Sequence, residues 1–378
     1  MSTKKPDFSD NAGIDAVITW VDGNDPQHRS KRMKVLHLGD TMAYPGEDGN
    51  ALQEGNLQVG QQDNAGARHK GSMHVGQQQE ANEAPLLASR ADDTRFVDNG
   101  ELRFCIASIR TFAPWIRHIY LVTDNQRPGF LTETLCRDLD IIIIDHKVIF
   151  EQWEWALPTF NTRTIECGLW RIPGLSERFI YFNDDFVLTS PASPEDFFQD
   201  DSVVLRGRWN HMIRFGKIRM MAERAANYVA KNVFGVTRTM HLLLQIRSAR
   251  LAGFSGRYYR FNHVPHPLRK SVLERFFSEH PDLFENNIRY RLRDTDQFSA
   301  IFLAHHLEIK ENRAILEKDD DVLMIHGEID PSFILDRKIR KIEKNEVKFL
   351  SLQGVEKFEN KNLRRLEKVL EKITGMNF

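Results

Sequence analysis

The sequence has few cysteines and no long apolar run. Its three cysteines, Cys105, Cys136 and Cys167, are far apart and form no Cys-x-x-Cys pair. A disulfide framework and a thiolate zinc site are therefore not expected, and a reducing compartment fits best. No stretch reaches the roughly 18–20 apolar residues of a membrane span, and residues 1–10 lack the apolar centre of a signal peptide. These absences predict a cytoplasmic protein, either soluble or peripheral on the inner membrane.

The sequence also has almost no net charge and no common nucleotide-binding motif. Lys and Arg number 52 against 53 Asp and Glu, so the formal net charge is -1. This balance excludes binding driven by global charge, and no nucleic acid partner is expected. Neither G-x-G-x-x-G nor G-x-x-x-x-G-K-[ST] occurs, which disfavours a dinucleotide-dependent enzyme and a P-loop ATPase.

The sequence does contain a regular alternation of β-branched and helical segments. Residues 14–21 (IDAVITWV) predict a strand that ends in the turn-forming run Asp22-Gly23-Asn24-Asp25-Pro26. Residues 140–145 contain four isoleucines, which predicts a strand buried on both faces. The alternation predicts an α/β fold with a mainly parallel sheet and helices on both faces, in which ligands bind at the carboxyl ends of the strands. The other predicted elements are a helix ending at Phe112, strands His118–Thr123 and Arg178–Asn183, and helices over 128–137 and 161–171.

Changes in composition divide the chain into segments. Residues 44–83 are rich in Gly, Gln, Asn and His, which predicts a mobile polar insertion. Residues 206–260 carry twelve Lys or Arg against the single acid Glu223, which predicts a basic, mainly helical lobe. This lobe is either an anion-facing surface or a solvated helix face. The remaining segments are a nucleotide-sugar-binding core over 1–43 and 84–205, its completion over 261–335, and C-terminal helices over 336–378.

Two carboxylates at the end of a predicted strand are the sharpest chemical signal. Asp184 and Asp185 follow the run Tyr181-Phe182-Asn183. Mg²⁺ in proteins takes one or two carboxylates together with phosphate oxygens and water. The alternative is that the aspartates only cap a turn. The pair alone therefore predicts a Mg²⁺ (or Mn²⁺) site or an ordinary turn.

Two other segments offer polar groups at strand ends or in extended chain. The loop Asp22–Asp25 lets backbone amides approach a nucleotide closely, although such loops are mostly ordinary turns. His263 and His266 lie in a proline-stiffened segment, so they are candidates for proton transfer or phosphate contact. Structural roles for these histidines remain open.

The run RLRDTDQF at residues 291–298 adds guanidinium groups. Arg291 and Arg293 suit clamping of phosphate oxygens, whereas Asp294 and Gln297 have the spacing of a helix cap. Carboxylates for a metal, arginines for phosphate and histidines for protons together favour phosphoryl transfer. A metal-dependent glycosyltransferase needs the first two as well, so both chemistries stay open.

Several long strings resemble the Stealth proteins, a family of hexose-1-phosphate transferases that includes bacterial capsule enzymes and the catalytic subunit of the lysosomal GlcNAc-1-phosphotransferase. Residues 348–354 are faintly similar to a further block of the family. The matching strings are IDAVITWVDGNDP at 14–26, FVDNGELRF at 96–104, APWIRHIYLVTDNQRP at 113–128, LPTFN at 157–161, FIYFNDDF at 179–186, HVPHPL at 263–268 and RLRDTDQF at 291–298.

The resemblance implies a nucleotide-sugar-transferase-like (GT-A or Rossmann-like) α/β fold and assigns roles to individual residues. Asp184 and Asp185 would hold Mg²⁺ or Mn²⁺. His263 or His266 would be the general base, with a share for Asp296 left open, and Arg291 and Arg293 would steady the transferred phosphate. The donor would be bound by Trp20, Asp22, Gly23, Asn24, Asp25, Asn99 and Arg103.

The implied reaction transfers a sugar 1-phosphate, expected to be an N-acetylhexosamine 1-phosphate, from a UDP-sugar to a hydroxyl of a growing capsular or surface glycan, with release of UMP. Capsule assembly proteins and the inner membrane are expected peripheral partners. Two alternatives remain open at this point. They are a metal-dependent UDP-sugar glycosyltransferase and a noncatalytic module that binds anionic glycans through residues 206–260.

Overall fold

The computed structural model describes residues 13–38, 100–212, 238–294 and 296–375. The predicted insertion over 44–83 lies outside this part of the chain. The strands are β1 (Ile14–Thr19), β2 (Ile116–Thr123), β3 (Ile141–Asp145), β4 (Arg178–Asn183), β5 (Phe186–Leu188), β6 (Phe198–Gln199), β7 (Ser202–His211), β8 (Arg257–Phe261), β9 (His266–Arg269), β10 (Ala314–Glu317), β11 (Val322–His326) and β12 (Phe349–Gln353). The helices are α1 (Pro26–Leu38), α2 (Glu101–Phe112), α3 (Glu133–Asp138), α4 (His146–Ile149), α5 (Thr162–Gly168), α6 (Arg238–Leu251), α7 (Lys270–Glu279), α8 (Pro281–Ile288), α9 (Ala300–Lys310), α10 (Ser332–Glu343) and α11 (Asn360–Thr374).

The central sheet has five strands in the order β3-β2-β1-β4-β9. β1 runs parallel to β2 and β4, and β2 runs parallel to β3, whereas β9 is antiparallel to β4. Thr19 pairs with Asn183, and Thr123 pairs with Asp145. The carboxyl ends of the four parallel strands therefore lie along one edge. The predicted mainly parallel sheet is confirmed.

Helices cover both faces of this sheet. Because successive strand residues point to opposite faces, Ala16 and Ile18 of β1 enter one core while Val17 enters the other. The first core is closed by α2, and the second by α5, α7, α8 and α9. The predicted helices on both faces are confirmed.

The prediction that β3 is buried on both faces is wrong. β3 is an edge strand that pairs only with β2 within this sheet. Ile141 and Ile144 are buried, but Ile142 is 38% exposed. A run of isoleucines favours strand structure in either position, so it does not by itself distinguish a central strand from an edge strand.

The prediction of a mainly helical lobe over 206–260 is incomplete. Within the described part of this segment, α6 is helical, but β7 and β8 form an antiparallel pair in which Gly207 lies opposite Phe261. β7 also pairs with β6 and β10. Residues 213–237 lie outside the described residues. Across the part of the chain that the structure describes, no helix combines the length and apolarity needed to cross a bilayer.

The C-terminal segment forms the two predicted helices, α10 and α11, and an additional strand. This strand, β12, lies between α10 and α11 in the sequence. It is parallel to β11 and antiparallel to β5. The backbone N–H of Leu352 donates to the carbonyl of Asp185 at 2.9 Å. This small sheet of β11, β12 and β5 therefore lies next to the carboxyl end of β4.

Candidate active site

The loop after β1 is held in place by a residue from the loop after β2. The side chain of Gln126 accepts from the Asp22 backbone N–H at 3.0 Å and donates to the Asp22 carbonyl at 2.9 Å. Asp22 Oδ1 accepts from the Asn24 N–H at 2.8 Å, and Asp25 Oδ1 accepts from the His28 N–H at 2.7 Å at the start of α1. The aspartates thus build the turn and cap the helix, and Gln126 holds the loop against the segment after β2.

The other predicted donor-binding residues have different surroundings. Trp20 and Gly23 are buried, and the Trp20 N–H donates to the carbonyl of Val122 at 3.0 Å, which joins the loop to β2. Arg103 Nη2 donates to Glu367 of α11 at 2.9 Å, and its guanidinium stacks over Phe104. The structure therefore gives Arg103 an ion pair between helices. Asn99 lies outside the described residues.

The aspartates after β4 meet one of the two predicted histidines. Nε2 of His263 lies 3.1 Å from Oδ2 of Asp185, and the ring of His263 packs edge-on against Phe186. The other oxygen of Asp185, Oδ1, is buried and has no hydrogen-bond partner among the described residues. The negative charges of Asp184 and Asp185 also help to raise the pKa of the buried thiol of Cys105, after burial itself. Both carboxylates therefore lie at the carboxyl edge of β4, and Asp185 contacts His263.

His266 occupies a different environment from His263. It is buried in β9, where it lies opposite Tyr181, and its ring centroid is 5.1 Å from that of His305. His263, in contrast, lies in the loop before β9 and contacts Asp185.

The predicted site residues within 291–296 have different contacts in the structure. Arg291 donates to the carbonyl of Trp155 at 3.0 Å, and Arg293 donates to Thr162 Oγ1 at 3.3 Å. Asp296 is exposed and forms an ion pair with Arg247 at 2.8 Å. Arg293 contacts the first residue of α5, the helix that carries Glu166, and its charge acts on Glu166.

Glu166 is a candidate that the sequence reading missed. It lies on α5, and burial raises its pKa to about 7. The Ser299 hydroxyl donates to Oε2 at 2.8 Å, and the positive charges of Arg293 and His263 are near enough to oppose the rise. The available sequence signal was a carboxylate within an otherwise apolar turn, five residues after Asn161. A carboxyl group whose pKa is raised towards neutrality beside charged groups is typical of a functional site.

The buried amide of Asn161 is one of several links between α5 and the arginine segment. Asn161 Nδ2 donates to the carbonyls of Tyr290 and Leu292, each at 2.9 Å, and to Gln297 Oε1 at 2.7 Å. Its Oδ1 accepts from the Arg163 N–H at 3.2 Å and caps α5. Asn161 therefore fixes the helix that carries Glu166 relative to the loop that carries Arg293.

The acidic residues fit a hard cation that takes few ligands from the protein. Among the residues described, no group of three or more His, Cys, Asp or Glu is arranged to hold a metal ion. Asp184 and Asp185 supply two adjacent carboxylates, and Oδ1 of Asp185 is buried with no hydrogen-bond partner in the part of the chain that the structure describes. Mg²⁺ suits this donor set, because it takes its remaining ligands from phosphate and water.

Two conserved regions of a known protein family match the segments that carry part of this site. Stealth protein conserved region 1 matches residues 13–38, and Stealth protein conserved region 2 matches residues 95–205. A capsular polysaccharide phosphotransferase, fcs1 of Haemophilus influenzae, is 32% identical over 309 residues, which cover 80% of this chain and 67% of the relative. The chain belongs to the Stealth family.

Other relatives extend well beyond the region that matches this chain. The exopolysaccharide phosphotransferase SCO6023 of Streptomyces coelicolor is 30% identical over 303 residues, which are 80% of this chain but 41% of that protein. The exopolysaccharide phosphotransferase cps2G of Lactiplantibacillus plantarum is 31% identical over 57% of this chain and 66% of its own length. The chain thus spans less than two thirds of these relatives.

Two solved structures have a weaker likeness. Mouse xyloside xylosyltransferase 1 in its apo form gives a TM-score of 0.34 at 12% identity, over 66% of this chain and 90% of that one. The galactosyltransferase LgtC, in complex with donor and acceptor sugar analogues, gives 0.35 at 11% identity, over 74% and 95%.

The two Stealth regions include most, but not all, of the candidate site. Region 1 contains β1 and the loop Asp22–Asp25, and region 2 contains Glu166, Asp184 and Asp185. His263 and Arg293 lie beyond residue 205, and the fold brings them back to the same edge through β9 and the contacts of Asn161.

Proposed function

We propose that this Stealth protein transfers a sugar 1-phosphate from a UDP-sugar to a hydroxyl group of a capsular or exopolysaccharide chain and releases UMP. The observation that carries the proposal is the contact between His263 and Asp185, with Glu166 and Arg293 nearby, at the carboxyl edge of the sheet. Its relatives are named capsular and exopolysaccharide phosphotransferases. These groups supply what phosphoryl transfer requires, namely proton removal and stabilisation of charge on phosphate oxygens.

The reaction would proceed by in-line attack without a covalent enzyme intermediate. The oxygen of the acceptor hydroxyl forms a bond to the phosphorus that bears the sugar, while the bond from that phosphorus to the bridging oxygen breaks and UMP departs. The product is a phosphodiester between the donor sugar and the acceptor. The hydroxyl proton must be accepted as the new bond forms.

We assign proton acceptance to His263. When Nε2–H of His263 donates to Asp185 Oδ2, Nδ1 is the lone-pair nitrogen that can take the proton. Asp185 then orients the ring and stabilises the imidazolium, as in other carboxylate–histidine pairs. Glu166, whose pKa is raised to about 7 by burial, adds negative charge near the imidazolium once it is ionised.

Arg293 and the loop Asp22–Asp25 would bind the donor. The guanidinium of Arg293 suits the nonbridging phosphate oxygens, because it presents several N–H donors in a planar fork. The loop would place its backbone against the nucleotide. Asp184 and Asp185 would hold Mg²⁺ or Mn²⁺, which supplies neutralisation of charge on the diphosphate when it is bound.

Product analysis tests the proposal. The chain is incubated with UDP-N-acetylglucosamine, Mg²⁺ and an oligosaccharide acceptor, and the products are followed by chromatography of nucleotides and by phosphorus NMR. We expect UMP together with a phosphodiester signal, and no UMP from Asp185→Asn. Release of UDP with a phosphate-free linkage would instead identify a glycosyltransferase and reject the proposal.

A further inference from the structure

The outer faces of α10 and α11 are strongly basic, although the formal net charge of the chain is only -1. Within the described residues 331–375, cations greatly outnumber anions at exposed positions. The exposed cations are Arg337, Arg340, Lys341, Lys344, Lys357, Lys361, Arg364, Arg365, Lys368 and Lys372, and the exposed acids are Glu343, Glu346 and Glu359. Such one-sidedness in a neutral protein indicates a surface that meets an anionic partner.

An exposed aromatic side chain lies at one end of this basic face. Phe333, in the first turn of α10, is 70% exposed, and Ile329 in the preceding loop is 45% exposed. Large apolar side chains at such exposure are typical of an interaction site. Arg337 follows Phe333 by four residues, so both lie on the same side of the helix.

The aromatic end of the face is continuous with the candidate active site through β11 and β12. Leu352 of β12 bonds to the Asp185 carbonyl at 2.9 Å, and its neighbour Gln353 pairs with His326 at the end of β11. The Ile329 N–H then donates to the His326 carbonyl at 3.1 Å. α10 therefore begins on the same edge as Asp185.

The start of α11 lies at this edge too. Asn362 Nδ2 donates to Ser332 Oγ at 2.9 Å, which ties the two helix starts together. α11 runs beside α2 in the same direction, since Arg103 contacts Glu367 and Thr111 contacts Thr374. The cations of both helices thus lead away from the site along the molecular surface.

We propose that the face formed by Phe333, Arg337, Lys361 and Arg364 binds the anionic glycan chain whose end is in the active site. The proposal rests on the proposed function, because phosphodiester linkages make that chain a polyanion. The spaced guanidinium and ammonium groups match phosphates repeated along a chain, and the ring of Phe333 offers a flat apolar surface to the C–H groups of a sugar ring. Continuity with Asp185 favours a glycan over a lipid bilayer.

Binding measurements on the full chain test this face directly. The probe is a fluorescein-labelled hexamer of N-acetylglucosamine 1-phosphate units joined by phosphodiesters, and fluorescence anisotropy gives its Kd. The variant Arg337→Glu/Lys361→Glu/Arg364→Glu is expected to raise Kd by about tenfold or more in 0.1 M salt. Phe333→Ala should raise it too, whereas Phe333→Tyr should restore binding.

A matched control reverses three exposed charges elsewhere, with Arg137→Glu/Arg275→Glu/Lys310→Glu. Its Kd should change by less than about twofold, because charges beyond about 10 Å are screened at 0.1 M salt. Equal Kd values for the wild type and the first triple variant would overturn the proposal. Failure of the hexamer to bind, with vesicles of phosphatidylglycerol bound in its place through the same three cations, would also overturn it and identify a lipid surface.

Turnover separates this proposal from the proposed function. With a disaccharide acceptor that carries no phosphodiester, the triple variant should release UMP at the wild-type rate, while its KM for the hexamer acceptor rises. Hexamer binding that depends on the three cations, in a chain that releases no UMP, would support the surface and reject the reaction. UMP release with an unchanged KM for the hexamer in the triple variant would support the reaction and reject the surface.

Discussion

At the scale of single residues, the fold separates two histidines that the sequence leaves equivalent. His263 is partly exposed at 3.1 Å from Asp185, whereas His266 is buried in β9 opposite Tyr181. His263 lies just before β9 and can meet a substrate, whereas His266 lies within β9 and packs in the interior. Spacing within HVPHPL does not show this difference, because the difference depends on which residue pairs with β4.

Alanine at each of these positions should have a different effect. His263→Ala should lower kcat by roughly 10²–10⁴-fold, the usual contribution of a general base, with little change in stability. His266→Ala should instead lower the free energy of unfolding by about 2–4 kcal/mol, because it leaves a cavity in the interior. UMP release and urea denaturation measure the two quantities. A stable His263→Ala protein with the wild-type kcat would show that another group accepts the proton.

The raised pKa of Glu166 has a consequence for stability. Its pKa is about 7 in the folded protein because burial disfavours the charged form, against an ordinary value of 4.5. Between these values the folded state holds a proton that the unfolded state has released, so the contribution to stability is present below pH 4.5 and is lost as the pH rises towards 7. Glu166→Gln cannot ionise and should lack this loss.

Denaturation at pH 5 and pH 7.5 measures the effect. The wild type should lose stability relative to Glu166→Gln between the two pH values, and any limb of the kcat/KM profile near pH 7 that belongs to Glu166 should disappear in the variant. Glu133→Gln serves as the control, because the Glu133 side chain is 84% exposed. Its stability should match that of the wild type at both pH values. A constant difference between wild type and Glu166→Gln would show that the pKa is not raised.

At the scale of elements, Asn161 connects a helix to a loop 130 residues later in the chain. It caps α5 through Arg163 and holds the carbonyls of Tyr290 and Leu292. These bonds are buried, so a missing partner leaves polar groups without compensation. The relative placement of Glu166 and Arg293 thus depends on this amide.

Asn161→Ala should therefore change both stability and catalysis. We expect a loss of about 1–3 kcal/mol in unfolding free energy and a fall in kcat, since the two elements that carry Glu166 and Arg293 lose their common anchor. Thr132→Ala is a matched control, because Thr132 caps α3 by accepting from the Leu135 N–H. It should cost about 1 kcal/mol and leave kcat unchanged. Equal activity of the two variants would contradict the anchoring role.

Local pattern predicted the parallel strands but not the long-range pairings. β1 and β4 were predictable because β-branched or aromatic runs end at turn-forming residues, and α2 because its apolar residues recur at helical spacing. β8 and β12 were not predicted, and the pairing of β12 with β5 joins segments that lie far apart in sequence. Glu166 was missed for the same reason. Its unusual proton affinity arises from burial beneath elements that come more than a hundred residues later.

At the scale of the whole molecule, the candidate donor site is assembled from separate parts of the chain. The loop Asp22–Asp25 follows β1, the pair Asp184 and Asp185 follows β4, and Arg293 comes from the segment after α8. A ligand that contacts all three joins distant parts of the folded chain and binds only the folded state. Such a ligand raises the free energy of unfolding in proportion to the logarithm of its concentration.

UDP and Mg²⁺ should therefore stabilise the protein together. At UDP near 100 times its Kd the gain should be about 2.7 kcal/mol, measured as a shift in thermal unfolding. Asp185→Asn should lose the part of the shift that requires Mg²⁺, because it removes a carboxylate charge beside the diphosphate, while it keeps the part that UDP gives with EDTA present. Asp138→Asn, at an exposed position, should retain both parts. The same Mg²⁺-dependent shift in Asp185→Asn as in the wild type would exclude Asp185 as a metal ligand, and it does so without any measurement of turnover.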